Sequence, residues 1–364
     1  MSSTSDTTQD GGTAVVYCEG NFGRIDGKTG NGLVRYSEKY EILSVIDSTQ
    51  AGLDSGEVLD DVPNGIPICA DLAEAIALAG HVPDFFIFGI APATGLLSAA
   101  ERAVMLHAIE LGMNLVNGLH EFLNDDPEFA AASLAHGVKI LDVRRPRDKR
   151  HLRLFSGRIR EVTCPRIAVL GTDSANGKRT TATVLTRALN EHGIKAVLVG
   201  TGQTALIQGA RHGVALDAIP VQFCSGEMEA TVIEAFEDED PDVIIIEGQG
   251  ALSHPAYVSS CCILRGGKPH AVILQHAPAR AMLSDFPEYP MPTAESEINL
   301  IHTFAETDVI GMAINHEDMS DAEVTAAIEH YESELGIPVT DSLKRSPERL
   351  VDMVLSAFPQ LARE

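Results

Sequence analysis

The 364-residue sequence is short of positive charge, of spaced cysteine pairs and of long apolar runs. No apolar stretch reaches the ~18 residues a membrane span requires, so a transmembrane role is excluded from the outset. The opening MSSTSDTTQDGG lacks the basic-then-apolar pattern of a secretory signal. Residues 1–12 therefore read as a disordered tail, and the protein as cytoplasmic. The six cysteines, Cys18, Cys69, Cys164, Cys224, Cys261 and Cys262, show no C-x-x-C spacing. Reduced thiols in a reducing compartment are expected, and a structural zinc site has little support.

Lysine is scarce: eight residues against 52 acidic ones, within a formal net charge of -25. Such a surface stays hydrated in molar salt and predicts a halophilic source, with an ordinary acidic enzyme as the plainer alternative. The same balance argues against nucleic-acid binding, which needs many phosphate-neutralising cations. A hydrophobic content of 45% fits a globular chain long enough for two cores. Homo-oligomers are the common default for such a chain.

Apolar runs alternate with amphipathic stretches throughout, which predicts an α/β fold with mostly parallel sheets. In the first half, TAVVYC (13–18), FFIFGIA (85–91) and KILDV (139–143) read as buried strands. LAEAIALAG (72–80) and SAAERAVMLHAIELG (98–112) read as helices stopped by glycine. This half is expected to be a Rossmann-like domain over 13–143. The turn GIAPATG (89–95) follows a strand, where doubly wound sheets bind ligands. NFGRIDGKTGNGLVRYS (21–37) offers Arg24, Lys28, Thr29 and Arg35 as a second anion site, and Asp47 ends a short strand. Residues 144–165 form a basic linker or interface, either a solvated connection or an anion-facing wall.

The C-terminal domain, 166–364, reads as P-loop NTPase-like. Strand RIAVLG (166–171) runs into GTDSANGKRTT (171–181) and then a helix over 181–193. Strand, glycine-rich loop and helix N-terminus in that order form an anion site. Gly171, Thr172, Asp173, Asn176, Gly177, Lys178, Arg179, Thr180 and Thr181 are its expected contacts. An ATPase loop carries Ser or Thr after the lysine to hold magnesium, and this one carries Arg179. Thr180 and Thr181 come one and two residues late, so Thr180 is the residue that would restore a magnesium site. A ligand whose phosphates need no metal, such as coenzyme A, fits better than ATP with Mg awaiting hydrolysis.

Further strands follow at 195–200, 242–248, 270–276 and 308–315, with helices at 322–336 and 347–363. IIIEGQGALSHPAY (244–257) places Glu247 at a strand end, glycines with free N–H groups at 248 and 250, and His254 on the same loop. Glu247 and His254 rank equally as a general base. Gln249, Ser253, Arg265, Arg280 and Lys28 are the expected substrate contacts, the cations for carboxylates. QHAPAR (275–280) also raises His276. An acyl-enzyme through Cys261 or Cys262 is disfavoured.

Together, GTDSANGKRTT and EGQGALSHPAY resemble a two-domain family long catalogued as a domain of unknown function, some of whose members are D-glutamate N-acetyltransferases. VIDSTQAGLDSGEVL, FGIAPATGLL and LVNGLHEFLNDDPEF look like that family too, so the resemblance runs from about residue 14 to near the C-terminus. The loop and EGxG pair are also similar to dethiobiotin synthetase, from which Arg179 departs. The resemblance implies transfer of acetyl from acetyl-CoA to the amine of D-glutamate, in D-glutamate breakdown alongside an N-acetylglutamate racemase. No clean R/Q-x-x-G-x-G/A loop of the usual acetyltransferases is found, which makes the phosphate loop the better candidate for the coenzyme grip. The rival readings are an ATP- and Mg-dependent ligase or kinase, and a non-catalytic nucleotide-binding protein.

Overall fold

Strands buried on both faces need helices on both sides, and the computed structural model builds two such parallel sheets. It describes residues 11–92 and 95–362. Most of the expected N-terminal tail, and two positions of the GIAPATG turn, lie outside the described residues.

The first unit runs to Arg145 and also takes in Gln203–Gly209. It alternates β1 (Thr13–Tyr17), α1 (Lys28–Arg35), β2 (Glu41–Ile46), α2 (Ser55–Asp60), β3 (Ile68–Cys69) and α3 (Leu72–Ala79). Then come β4 (Phe85–Phe88), α4 (Ala99–Glu110), β5 (Asn114–Asn117), α5 (Pro127–His136) and β6 (Ile140–Asp142). Among the described residues the sheet order is β3-β2-β1-β4-β5-β6, all parallel, the order of a doubly wound dinucleotide-binding sheet. The Rossmann-like expectation therefore holds. Local chemistry sets the helix limits. Ser98 and Glu101 close α4 with a reciprocal capping box, and α3 ends at Gly80 with φ 73°.

In the second unit the chain forms β7 (Arg166–Gly171), α6 (Lys178–Glu191) and β8 (Ala196–Gly200). After α7 (Gln203–Gln208) it continues through β9 (His212–Gly213), α8 (Val221–Glu239), β10 (Val243–Glu247), α9 (Ser259–Cys262) and β11 (Ala271–His276). It closes with α10 (Ala294–Ala305), β12 (Asp308–Ile314), α11 (Asp321–Leu335), β13 (Val339–Asp341) and α12 (Glu348–Ala357). The described sheet, β13-β12-β11-β7-β10-β8-β9, puts β7 between β10 and β11. Alternate residues of β7 serve opposite faces. Ile167 and Val169 pack among residues of α6 and α12, while Ala168 and Leu170 pack among residues of α8 and α10. β7 is thus fully buried, and its carboxyl end is flanked by the ends of two neighbours.

Several elements differ from the sequence reading. The helix after the phosphate loop begins at Lys178, so Lys178 to Thr181 form its first turn. The 19-residue α8 gives no helical signal in the sequence, because its acidic and apolar residues show no clean stripe. Residues 203–208 form α7, which belongs with the first unit. Its Thr204 hydroxyl meets that of Thr29 at 2.9 Å, and Gln208 Nε2 donates to the carbonyls of Gly32 and Tyr36, both at 2.6 Å.

The basic stretch is no anion-facing wall. Arg153 pairs with Glu227 at 2.9 Å and also with Glu234, while Arg158 meets Glu237 at 2.8 Å, so these cations are taken by the acidic face of α8. Nor does the glycine-rich 21–37 segment gather its cations. Arg35 is bound to Asp60 at 2.7 Å, Thr29 is buried against Thr204, and Lys28 is exposed at the start of α1. Asp47 caps the turn that follows it, accepting from Thr49 N at 3.0 Å.

Candidate functional site

The site follows from strand order. The phosphate loop leaves the carboxyl end of β7, Glu247 ends β10 on one side, and Gln275 and His276 end β11 on the other. Gln275 supports the loop from behind: its carbonyl accepts from Thr172 N at 3.1 Å and from Asn176 Nδ2 at 2.9 Å. Gly177 has φ 108°, a conformation open to glycine, and opens α6 without any side-chain cap. The N–H groups of the first turn therefore face the loop. Lys178 is buried, with Nζ bonded to the Asp173 carbonyl and, at 3.0 Å, to Asn176 Oδ1.

Two of the expected contacts brace the loop instead of facing a ligand. Asp173 is fully buried and accepts from Arg280 Nη1 at 2.6 Å and from Ser284 N at 2.9 Å. The Thr181 hydroxyl lies 2.8 Å from Ser342 Oγ and also contacts Gln275 Oε1. Arg280 is corrected in consequence. Besides Asp173 it holds Glu317 in a two-point contact at 2.7 and 2.9 Å, so its guanidinium is already neutralised. Arg265 is corrected as well. It is exposed, stacks 4.9 Å over Phe304, and precedes β11 at the amino ends of the strands, away from the loop. His276 is a brace too: Thr172 Oγ1 lies 2.9 Å from Nδ1 and Tyr331 OH 3.0 Å from Nε2. Burial, helped by Arg280, pushes its pKa down to about 4, so it is neutral near pH 7.

Glu247 sits at the end of a fully buried strand. Its Oε2 accepts from Thr201 N at 2.8 Å and Gly202 N at 3.2 Å, which fixes the carboxylate. Among the described residues Oε1 makes no hydrogen bond. Burial raises its pKa above the usual carboxylate value, while those N–H groups, Arg179 and Lys178 oppose the rise. Gly248 must be glycine, because a Cβ there would meet the Val169 carbonyl at 2.1 Å. Gln249 Nε2 donates to Thr201 Oγ1 at 3.1 Å, and the Ser253 hydroxyl donates to Glu297 Oε2 at 2.6 Å.

The His254 ring is buried, stacked on Tyr257 with centroids 4.4 Å apart and edge-on to Phe286 at 5.7 Å. Its Nδ1 accepts from Ala256 N at 3.2 Å and Tyr257 N at 3.3 Å. Burial lowers its pKa, partly opposed by Asp173 and Asp285. Several partners had no signal in the sequence. Glu297 on α10 clamps the 252–253 backbone, and Asp285 accepts from Ser174 Oγ at 2.7 Å and Tyr257 OH at 2.8 Å. Among the described residues no cluster of three or more His, Cys, Asp or Glu side chains is placed to hold a metal ion. No described helix is long and apolar enough to cross a membrane.

A domain of unknown function described as the DUF1611_C P-loop domain matches residues 153–351, and the DUF1611_N Rossmann-like domain matches 48–146. A protein of Tritonibacter scottomollicae named D-glutamate N-acetyltransferase is 32% identical over 273 residues, covering 73% of this chain and 79% of its own. One of the same name from a Pseudoalteromonas species is 31% identical over 297 residues, covering 80% and 86%. The crystal structure of a DUF1611 family protein from Anabaena variabilis superposes with a TM-score of 0.86. It is 32% identical, and the match covers 95% of this chain and 99% of that one.

Proposed function

The chain belongs to the DUF1611 family, and from that premise we propose that it moves the acetyl group of acetyl-CoA to the amine of D-glutamate. The observation that carries this reading is the relatives' name taken together with Arg179 at the position where an ATPase loop needs a hydroxyl. The bonds on Thr181 support it further, since that hydroxyl already engages Gln275 and Ser342.

On this reading the loop and the first turn of α6 hold the coenzyme's phosphates through backbone N–H groups and Lys178. Glu247 Oε1 takes a proton from the substrate ammonium, a role suited to a fixed carboxylate with a raised pKa. The free amine attacks the thioester carbon, and backbone N–H groups of the 248–250 turn receive the developing oxyanion. The C–S bond then breaks, the carbonyl reforms, and the coenzyme leaves as the thiol after taking up a proton. Glu247 lies within electrostatic range of Lys178 and Arg179, so the flexible pantetheine arm must fold back towards its own phosphates. With Arg265 and Arg280 otherwise engaged, Gln249 and Ser253 remain the proposed substrate contacts.

The test is to supply acetyl-CoA with D- or L-glutamate in high salt and EDTA, and to follow free thiol. Release that depends on D-glutamate is expected, with acetyl-pantetheine, which lacks the phosphates, about a hundredfold poorer in kcat/KM. No release with either enantiomer, together with magnesium-dependent ATP turnover, would sink the proposal.

A further inference from the structure

The buried imidazole of His254 is a group whose two nitrogens have unequal surroundings. Its Nδ1 is met by two backbone N–H groups, those of Ala256 and Tyr257. A backbone amide donates and cannot switch to accepting through its nitrogen, so Nδ1 must present its lone pair. The single proton of the neutral ring therefore resides on Nε2. Moving it to Nδ1, or adding a second proton there, would set an N–H against two others.

Nε2 is itself buried and has no hydrogen-bond partner. The nearest carboxylate oxygen, Asp173 Oδ1, is 3.8 Å away, beyond hydrogen-bond reach. Asp173 already accepts from Ser174 N, Ser284 N and Arg280, and so is not free to turn towards the ring. Asp173 is part of the phosphate loop, and Lys178 is close enough to oppose charge on the imidazole. A buried N–H at the rim of an anion-binding loop, with no acceptor of its own, calls for an oxygen supplied by the ligand.

We propose that His254 is a fixed Nε2–H donor to the anion held by the 171–178 loop, and does not act as a base. Only the identity of that anion, a phosphoryl group of coenzyme A, rests on the function proposed above. The residue becomes a side-chain donor of the cradle beside Asp173. Its ring orientation is set by the Tyr257 stack, and its tautomer by the chain's own backbone. Tyr257 and Ser174 both donate to Asp285, so the ring support and the loop share one carboxylate.

Nitrogen-15 NMR of the full chain with labelled histidine reads the tautomer directly, using His254→Gln to assign the signal. The expected spectrum shows protonated Nε2 and bare Nδ1 from pH 6 to 8, with the Nε2 proton moving downfield when coenzyme A or inorganic pyrophosphate is added. In binding titrations His254→Phe should weaken both probes by about tenfold to a hundredfold. His254→Gln, whose amide nitrogen reaches the Nε2 position, should stay within about fivefold of the parent. A proton on Nδ1, an imidazolium at pH 7, or full affinity in a folded His254→Phe protein would overturn the proposal. Pyrophosphate binding that needs His254, with no binding of coenzyme A, would uphold the donor and refute the coenzyme reading.

Discussion

Replacing Lys178 with methionine is expected to weaken coenzyme A binding by about a hundredfold while leaving the protein folded. Methionine keeps the length of the stem and removes only the ammonium. That ammonium lies against the loop, bonded to the Asp173 carbonyl and to Asn176 Oδ1. Hydrogen bonds to charged groups contribute about 1.5–3 kcal/mol each, and a second cation on the same phosphates would lessen the loss. The loop keeps its shape through other contacts: Gln275 holds Thr172 N and Asn176, and Arg280 and Ser284 hold Asp173. Calorimetric titration of the variant measures the effect, with a thermal melt alongside to verify folding. Unchanged affinity would remove the loop from coenzyme binding altogether.

Glu247→Gln is expected to lower kcat by about a hundredfold to ten-thousandfold, with little change in the KM for acetyl-CoA. The amide is nearly isosteric, and its oxygen can still accept from Thr201 N and Gly202 N, so the turn should survive. What it loses is the ability to take a proton at neutral pH. The parent should show the matching pH dependence. Burial raises the Glu247 pKa, so the base is protonated, and the rate falls, at a higher pH than an ordinary carboxylate would give. The acid limb of kcat should vanish in the glutamine protein. A kcat within about fivefold of the parent would assign the proton transfer to another group.

These expectations depend on features that were unequally legible in the sequence. The phosphate loop could be read because its determinants are local: a buried strand, glycines, a lysine and a helix within some twenty residues. Glu247 was legible for a similar reason, as a carboxylate ending an apolar strand beside two glycines. His254 could be named as a candidate from the sequence, while its tautomer could not, because the two N–H groups facing Nδ1 depend on how the 254–257 turn closes. Arg280 shows the opposite limit. A lone arginine after a strand suggests a carboxylate ligand, yet its partners Asp173 and Glu317 come from the protein itself. Spacing along the chain carries no information about pairings more than a hundred residues apart, and Asp173 with Arg280 is one of these. The inserted α7 carries no apolar signal in the sequence either, since the short segment 203–208 buries polar Thr204 and Gln208 against α1.

The central claim is that the loop holds coenzyme phosphates without needing a metal. Its most direct test is the dissociation constant of coenzyme A for the full chain, measured in EDTA and again with magnesium. Adenosine 3′,5′-bisphosphate serves as competitor. The account predicts binding in EDTA, the same constant to within about twofold with magnesium, and competitive displacement by the bisphosphate. Failure of coenzyme A to bind in either condition, with ATP binding only when magnesium is present, would contradict it.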